Sequence, residues 1–450
     1  MAEENREMNS RTDTVIFILL IAIITIFVTQ PSWCEENLTI SAAIGYKAIN
    51  AEASYSNSFF SEPADSPDLI RLSAFAAAST YTEAAAGVLS DCGFHDIVGP
   101  LYSGSSASGA LDDNDHCVIY SGIQEITDNT NGITADRIVA VIISGYSREH
   151  YEWISNFNLG TEGPHKGFSL AADEVLEFIR SQYGSLDNTI LWITGHSRGA
   201  AITNLVAGRL ISRSYDSDYS IHQNDGTRIF AYGFATPNAT DERVETDQII
   251  NIVCDSDFVS HVPLKNWGFD KNGKTIAYKA NRALKKEYLK KTGRKLKPLS
   301  KSGCRKLIHY FDERCEGTRA GYYKKTHVKT GLIGSLSHDI DSDFLKQADY
   351  LSLAVDEDML RDFLKEQRKS KYVTLIPCTY MTDGLAYTQF KNRNLIDQGY
   401  LKMADYSYWD RSYRDMTEFL LENKKAITMT HEPETYYVYS CMLSEKTDIP

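Results

Sequence analysis

A serine with glycine two positions to either side stands at Gly195-His196-Ser197-Arg198-Gly199. Before it runs Thr189-Ile190-Leu191-Trp192-Ile193-Thr194, with the make-up of a buried strand, and after it Ala200-Ala201-Ile202-Thr203-Asn204-Leu205-Val206, apolar at helical spacing. A side chain held at a sharp strand-to-helix turn sits in backbone angles that most residues resist, and its neighbours must be small for the turn to close. Gly195 and Gly199 meet that need. The turn also places Ser197 at the start of a helix, where free N–H groups and the helix dipole favour a developing negative charge. The chemistry this arrangement suits is nucleophilic attack on a carbonyl carbon, with the backbone N–H of Arg198 as one donor to the oxyanion.

A hydroxyl nucleophile needs a base, and the base a carboxylate to orient it. In chain order serine, acid, histidine, the acid follows a strand soon after the nucleophile. Asp255 and Asp257 both close the strand-like run Ile249 to Cys254. Beyond them lie His261, His309, His327, His338 and His431. His261 is too close to Asp257 along one loop to face the serine, and His309 and His327 belong to a basic or flanking polar region. His338 has no strand directly before it. His431 follows Lys425-Ala426-Ile427-Thr428-Met429-Thr430, read as a final strand, and precedes Glu434-Thr435-Tyr436-Tyr437-Val438, read as a helix. That setting makes His431 the expected base.

Several separated motifs resemble the class 3 lipases, the fungal-type branch of the α/β-hydrolases. Ile142-Ile143-Ser144-Gly145-Tyr146-Ser147 and Glu152-Trp153-Ile154-Ser155-Asn156-Phe157 look like the family's oxyanion strand and lid. His165-Lys166-Gly167-Phe168 looks like the short motif that opens the helix before the elbow strand. Phe230 to Pro237 and Asn251 to Pro263 look like the next two strands, the second ending in the acid loop. His431-Glu432-Pro433-Glu434-Thr435-Tyr436 resembles a bacterial subgroup of exported lipase-like proteins. The resemblance implies an α/β-hydrolase fold, no cofactor, and a triad of Ser197, Asp257 and His431, with Asp255 as a turn-forming carboxylate. It implies the Tyr146 N–H as second oxyanion donor, and Trp153, Ile154 and Phe157 as lid residues in contact with an acyl chain. The family's Arg-Gly-Thr or Arg-Gly-Ser is here Ser144-Gly145-Tyr146. The backbone donor survives that change, whereas loss of a hydroxyl donor costs about 3 kcal/mol of transition-state stabilisation. The expected substrates are acylglycerols or other lipid esters. Two other readings stay open: a lipase-fold protein that binds lipid or a surface polymer with little turnover, and a serine hydrolase of another bond, such as a thioesterase or peptidase.

The elements that must position these residues are coarsely legible. Residues 66 to 90, alanine-rich and apolar at helical spacing, read as one or two helices, and Gly99 to Asp115 reads as a loop. Strands are expected near Cys117 to Tyr120 and Ile138 to Ile143, and a helix over Phe168 to Gln182. Alternating strands and helices predict a mostly parallel central sheet with helices on both faces. A core over 138–270 is followed by a basic insertion over 271–310 and a histidine-bearing part over 325–450, all within one domain from residue 40.

The chain has 450 residues, 42% of them hydrophobic, enough to bury one large core. A net charge of −13 argues against nucleic-acid binding, and neither a phosphate-binding glycine loop nor metal-ligand spacing is present. Against that acidic background Lys271 to Lys306 holds eleven lysines and three arginines with the single acid Glu287. It reads either as a solvated basic face or as a foot for an anionic membrane or cell-envelope surface. Val15 to Val28 is nearly unbroken apolar, a length typical of a secretory segment and short for a span of about 20 residues. Residues 1–34 are read as a signal peptide or a membrane anchor, or alternatively as a buried helix; the first two place the protein outside the cytoplasm. Eight cysteines are scattered; Cys304 and Cys315 are close enough to close a small loop in an exported protein, and reduced, buried thiols are the other reading.

Overall fold

The computed structural model describes residues 37–102, 117–126, 135–145, 159, 162–212, 228–314, 317–318, 327–328, 373–374 and 411–447. The apolar amino-terminal run, Tyr146, the lid residues Trp153, Ile154 and Phe157, His338 and Cys315 lie outside them. Met1–Leu38 and Thr39–Pro450 are separate units.

Four apolar runs and a short edge strand build the parallel part of the central sheet. Strand β5 (Arg137–Ser144), β6 (Thr189–His196), β7 (Arg228–Phe234), β8 (Ile249–Cys254) and β9 (Lys274–Tyr278) pair in parallel in that order. At the other edge β3 (His95–Tyr102) and β4 (Val118–Glu125) complete seven strands, antiparallel to each other, with β4 antiparallel to β5. Parallel strands covered on both faces read as continuous hydrophobic runs, which is what Ile138 to Ile143 and Ile190 to Ile193 are. Successive side chains then divide by parity. Ile138, Ala140, Ile142, Trp192, Phe230 and Tyr232 face one core, and Val139, Val141, Ile143, Leu191, Ile193 and Ala231 face the other.

Each face is covered by helices. On the first lie α1 (Pro67–Ser79) and α2 (Ala85–Asp91), with the short β1 (Leu38–Ile44) and β2 (Ile49–Tyr55) alongside. On the second lie α3 (Lys166–Tyr183) and α4 (Arg198–Ser212). Following β9 come α5 (Arg282–Thr292) and α6 (Lys301–Arg314), and at the carboxyl end α7 (Arg411–His431) and α8 (Pro433–Thr447). Tyr436, Val438 and Cys441 carry α8 into the first core. The architecture is that of an α/β-hydrolase, mostly parallel with helices on both faces.

Three readings of the sequence are corrected here. Gly99 to Tyr102 belongs to β3 rather than to a loop. The basic segment is not peripheral throughout: Lys274–Tyr278 is the edge strand β9, and Lys271 and Asn272 before it are buried. Asn272 donates its N–H to Asn204 on α4, whose amide in turn donates to Asn251 on β8. These buried amide bonds tie the edge strand to the centre, and sequence patterning gave no sign of them. Last, Lys425 to Thr430 is helix rather than strand. Its β-branched residues favour a strand locally, yet the run ends a 21-residue helix. There Thr430 satisfies its hydroxyl on the Ala426 carbonyl and Thr435 on that of Met429.

The described cysteines Cys92, Cys117, Cys254, Cys304 and Cys441 are buried thiols. No helix among the described residues is long and apolar enough to cross a membrane.

Candidate active site

At the carboxyl ends of β5, β6 and β7 the register aligns Ile143 with Gly195 and Gly195 with Gly233. The chain leaves β6 and enters α4 through Ser197, whose φ of 57° lies in the left-handed region. Its N–H is held by the Phe234 carbonyl at 2.8 Å, and its own carbonyl accepts the Ala201 N–H at 3.1 Å. A Cβ on Gly199 would overlap the Ile143 carbonyl, and one on Gly195 would overlap the Gly199 backbone. Both glycines of the motif are therefore required by close backbone approach.

The structure brings Ser197, His431 and Asp257 together. Nε2 of His431 is 2.8 Å from Ser197 Oγ, and Nδ1 is 2.9 Å from Asp257 Oδ2. The His431 side chain is 13% exposed and that of Asp257 is fully buried. Burial alone would push the Asp257 carboxyl up, but the His431 imidazole and the hydrogen bonds from His431 and Tyr436 outweigh it and hold the group below its ordinary value. Oδ1 accepts the Val259 N–H at 3.0 Å, and Oδ2 also accepts the Tyr436 hydroxyl at 2.6 Å. Asp255 points elsewhere, to the Lys301 ammonium at 2.7 Å. His261 lies half-buried on the same loop, its imidazole pushed down by burial and by Lys271 nearby.

His196, which the sequence left without a role, is buried between two partners. The Tyr81 hydroxyl donates to its Nδ1 at 2.8 Å, and its Nε2–H donates to the backbone carbonyl of His431 at 2.9 Å. Burial and the neighbouring His431 push its titration well down, so it stays neutral and serves as a hydrogen-bonding spacer. A Cβ on Gly145 would overlap the His196 carbonyl and crowd the Tyr81 hydroxyl, with the Arg198 N–H next nearest. That N–H begins α4, and the Arg198 side chain is buried over the Phe168 ring, 5.7 Å from its centroid. His165 caps α3 and stacks on Phe168 at 3.7 Å, which accounts for the spacing of that short motif.

The acidic residues after His431 are buried. Glu432 accepts from Tyr288 at 2.9 Å and from both terminal nitrogens of Arg294 at 3.2 Å. Glu434 is buried, its carboxyl taking the Lys47 N–H at 2.7 Å, and burial with the nearby Glu432 charge pushes it up to about 7. The one signal of these contacts in the sequence is the density of polar residues directly after His431, unusual for a segment that is buried. Among the described residues no group of three or more histidine, cysteine or acidic side chains is placed to hold a metal ion.

The arrangement holds a serine hydroxyl, an imidazole and a buried carboxylate in series at the carboxyl end of a parallel sheet, beside the first N–H groups of a helix. Residues 134–267 match the family model described as Lipase (class 3). Among solved structures, a lipase from Rhizopus microsporus var. chinensis aligns at 14% identity, over 50% of this chain and 76% of its own, with a TM-score of 0.28. A mutant of MDLA from Penicillium cyclopium aligns at 16% identity over 50% and 81%, with a TM-score of 0.26. No curated protein matches the chain.

Proposed function

We propose that this chain, whose residues 134–267 match the class 3 lipase family model, is a serine hydrolase of lipid carboxyl esters. The observation that carries the reading is the unbroken hydrogen-bond series from Ser197 Oγ through His431 to Asp257 at a strained strand-to-helix turn. In this reading Ser197 Oγ attacks the ester carbonyl while His431 Nε2 takes its proton. The tetrahedral oxyanion is met by the Arg198 N–H and, from the β5 side, by that of Tyr146. The alcohol leaves with the proton from His431, and water repeats the sequence on the acyl-serine. Asp257 keeps Nδ1 protonated and stabilises the imidazolium. Trp153, Ile154 and Phe157 are assigned to the acyl chain, and the exposed lysines of α5, among them Lys285, Lys286 and Lys290, to an anionic lipid or envelope surface outside the cytoplasm.

The test is an acyl-length series of p-nitrophenyl esters with a fluorophosphonate probe, applied to the wild type and to Ser197→Ala. The wild type is expected to hydrolyse esters and to label at Ser197; the variant loses both, with turnover down by roughly three orders of magnitude or more. Persistent labelling in Ser197→Ala would put the nucleophile elsewhere, and a wild type that binds lipid without turnover would favour a binding role.

A further inference from the structure

His431 is the last residue of α7, Pro433 the first of α8, and Glu432 is the only residue between them. A side chain at a helix end takes its direction from how that end is fixed, because the last turn lacks following backbone bonds. Here the residues on both sides of His431 are fixed by the same stretch of chain. Glu432, buried, receives both terminal nitrogens of Arg294 and the Tyr288 hydroxyl. On the other side Thr430 Oγ1 accepts the Leu299 N–H at 2.9 Å. Residues 288–299 thus grip position 430 and position 432 and leave 431 between them, free to point at Ser197. The third hold, from His196 Nε2–H to the His431 carbonyl, comes from the nucleophile's own turn.

We propose that the Tyr288–Arg294–Glu432 cluster is a positioning device for the base, so that the buried side of the lysine-rich segment sets the direction of the His431 imidazole. The inference rests on the hydrolase reading only for its kinetic consequence. Its physical basis is that two parallel bonds from a planar guanidinium fix orientation as well as distance, and that a displacement of about 1 Å at a reacting group costs on the order of 100-fold in rate. Among the described residues no hydrogen bond or ion pair joins the cluster to Ser197, so its effect on chemistry passes through His431.

Two variants separate positioning from stability. Arg294→Lys keeps the charge and loses the fork. The double variant Arg294→Leu/Glu432→Leu removes the ion pair without stranding a buried charge, a replacement that folded proteins commonly tolerate. With melting temperature as the control for folding, the double variant is expected to lose kcat by about tenfold or more with KM within about twofold, and Arg294→Lys to fall between it and the wild type. Fluorophosphonate labelling of Ser197 is expected to slow in the same order. Hydrogen exchange supplies a readout that needs no turnover: faster exchange in the double variant should be confined to residues 425–436. A folded double variant with unaltered kcat and labelling, or with unaltered exchange at 425–436, would overturn the proposal. A wild type that neither hydrolyses nor labels would instead overturn the hydrolase reading, and the exchange comparison would still decide the cluster's role.

Discussion

At the scale of single residues, the carboxylate is the most heavily secured member of the site. Asp257 accepts from Val259, Tyr436 and His431, and the last two share Oδ2. Its held-down ionisation implies stability that is present above its unfolded value of about 3.8 and is lost as pH falls through the lower folded value. Tyr436→Phe removes one of the bonds that hold the charge. A charge-assisted bond contributes about 1.5–3 kcal/mol, so the variant should be less stable than the wild type by roughly that much at pH 7. The difference should shrink in strong acid, where the carboxyl is protonated in both. Denaturant unfolding at neutral and acid pH measures the gap; a gap unchanged by pH would mean that Tyr436 acts through packing alone. The placement of Ser197 and Asp257 was legible in the sequence because the chain announces them locally, by a glycine-spaced turn and by a strand end. Tyr436, His196 and Tyr81 were not, because their roles come from partners 179, 235 and 115 residues away along the chain.

At the scale of elements, helix α8 ties the site to the β1–β2 turn through Glu434 and the Lys47 N–H. With a folded value of about 7 against an ordinary 4.5, Glu434 binds a proton more readily folded than unfolded. Stability it contributes is present below pH 4.5 and is lost as pH rises through 4.5 to 7. Glu434→Gln, uncharged throughout, should therefore lose less stability than the wild type across that window. A shift of about 2.5 units corresponds to a relative gain of roughly 3 kcal/mol at neutral pH, checked by thermal unfolding at pH 5 and pH 7.5. Parallel curves for the two proteins would contradict it. The helix bearing His431 shows where sequence reading fails. Ile427, Thr428 and Thr430 carry strand propensity, and packing of a long helix with locally satisfied hydroxyls overrides it. His431 still lies beside Ser197, since either element would present its end at the sheet's carboxyl edge.

At the scale of the whole molecule, charge is unevenly distributed. The exposed lysines of α5 stand on a chain of net charge −13, while other cations of the same segment are paired, Arg294 with the buried Glu432 and Lys301 with Asp255. If the outer face meets an anionic surface, binding to vesicles containing phosphatidylglycerol should weaken steeply between low and high salt, since screening acts within about 10 Å at 0.1 M. Lys285→Glu/Lys286→Glu should abolish that binding and leave hydrolysis of a soluble short-chain ester unchanged. Binding that ignores both salt and charge reversal would leave the lysines as a solvated face.

The buried thiols distributed over the fold offer a way to watch it move. Cys254 sits at the end of the strand that delivers the acid, Cys304 on α6 and Cys441 on α8, and burial pushes the first two up to about 11 and about 12. A sulfur that is both covered and protonated is a poor nucleophile toward disulfide or maleimide reagents. Each therefore reacts only during the moments when its own surroundings open, and its modification rate counts those moments. Read by mass spectrometry, one at a time, the three sulfurs would act as clocks on strand, α6 and α8. They would rank by frequency of opening the parts of the molecule that carry the acid, flank the lysine-rich edge and follow the base.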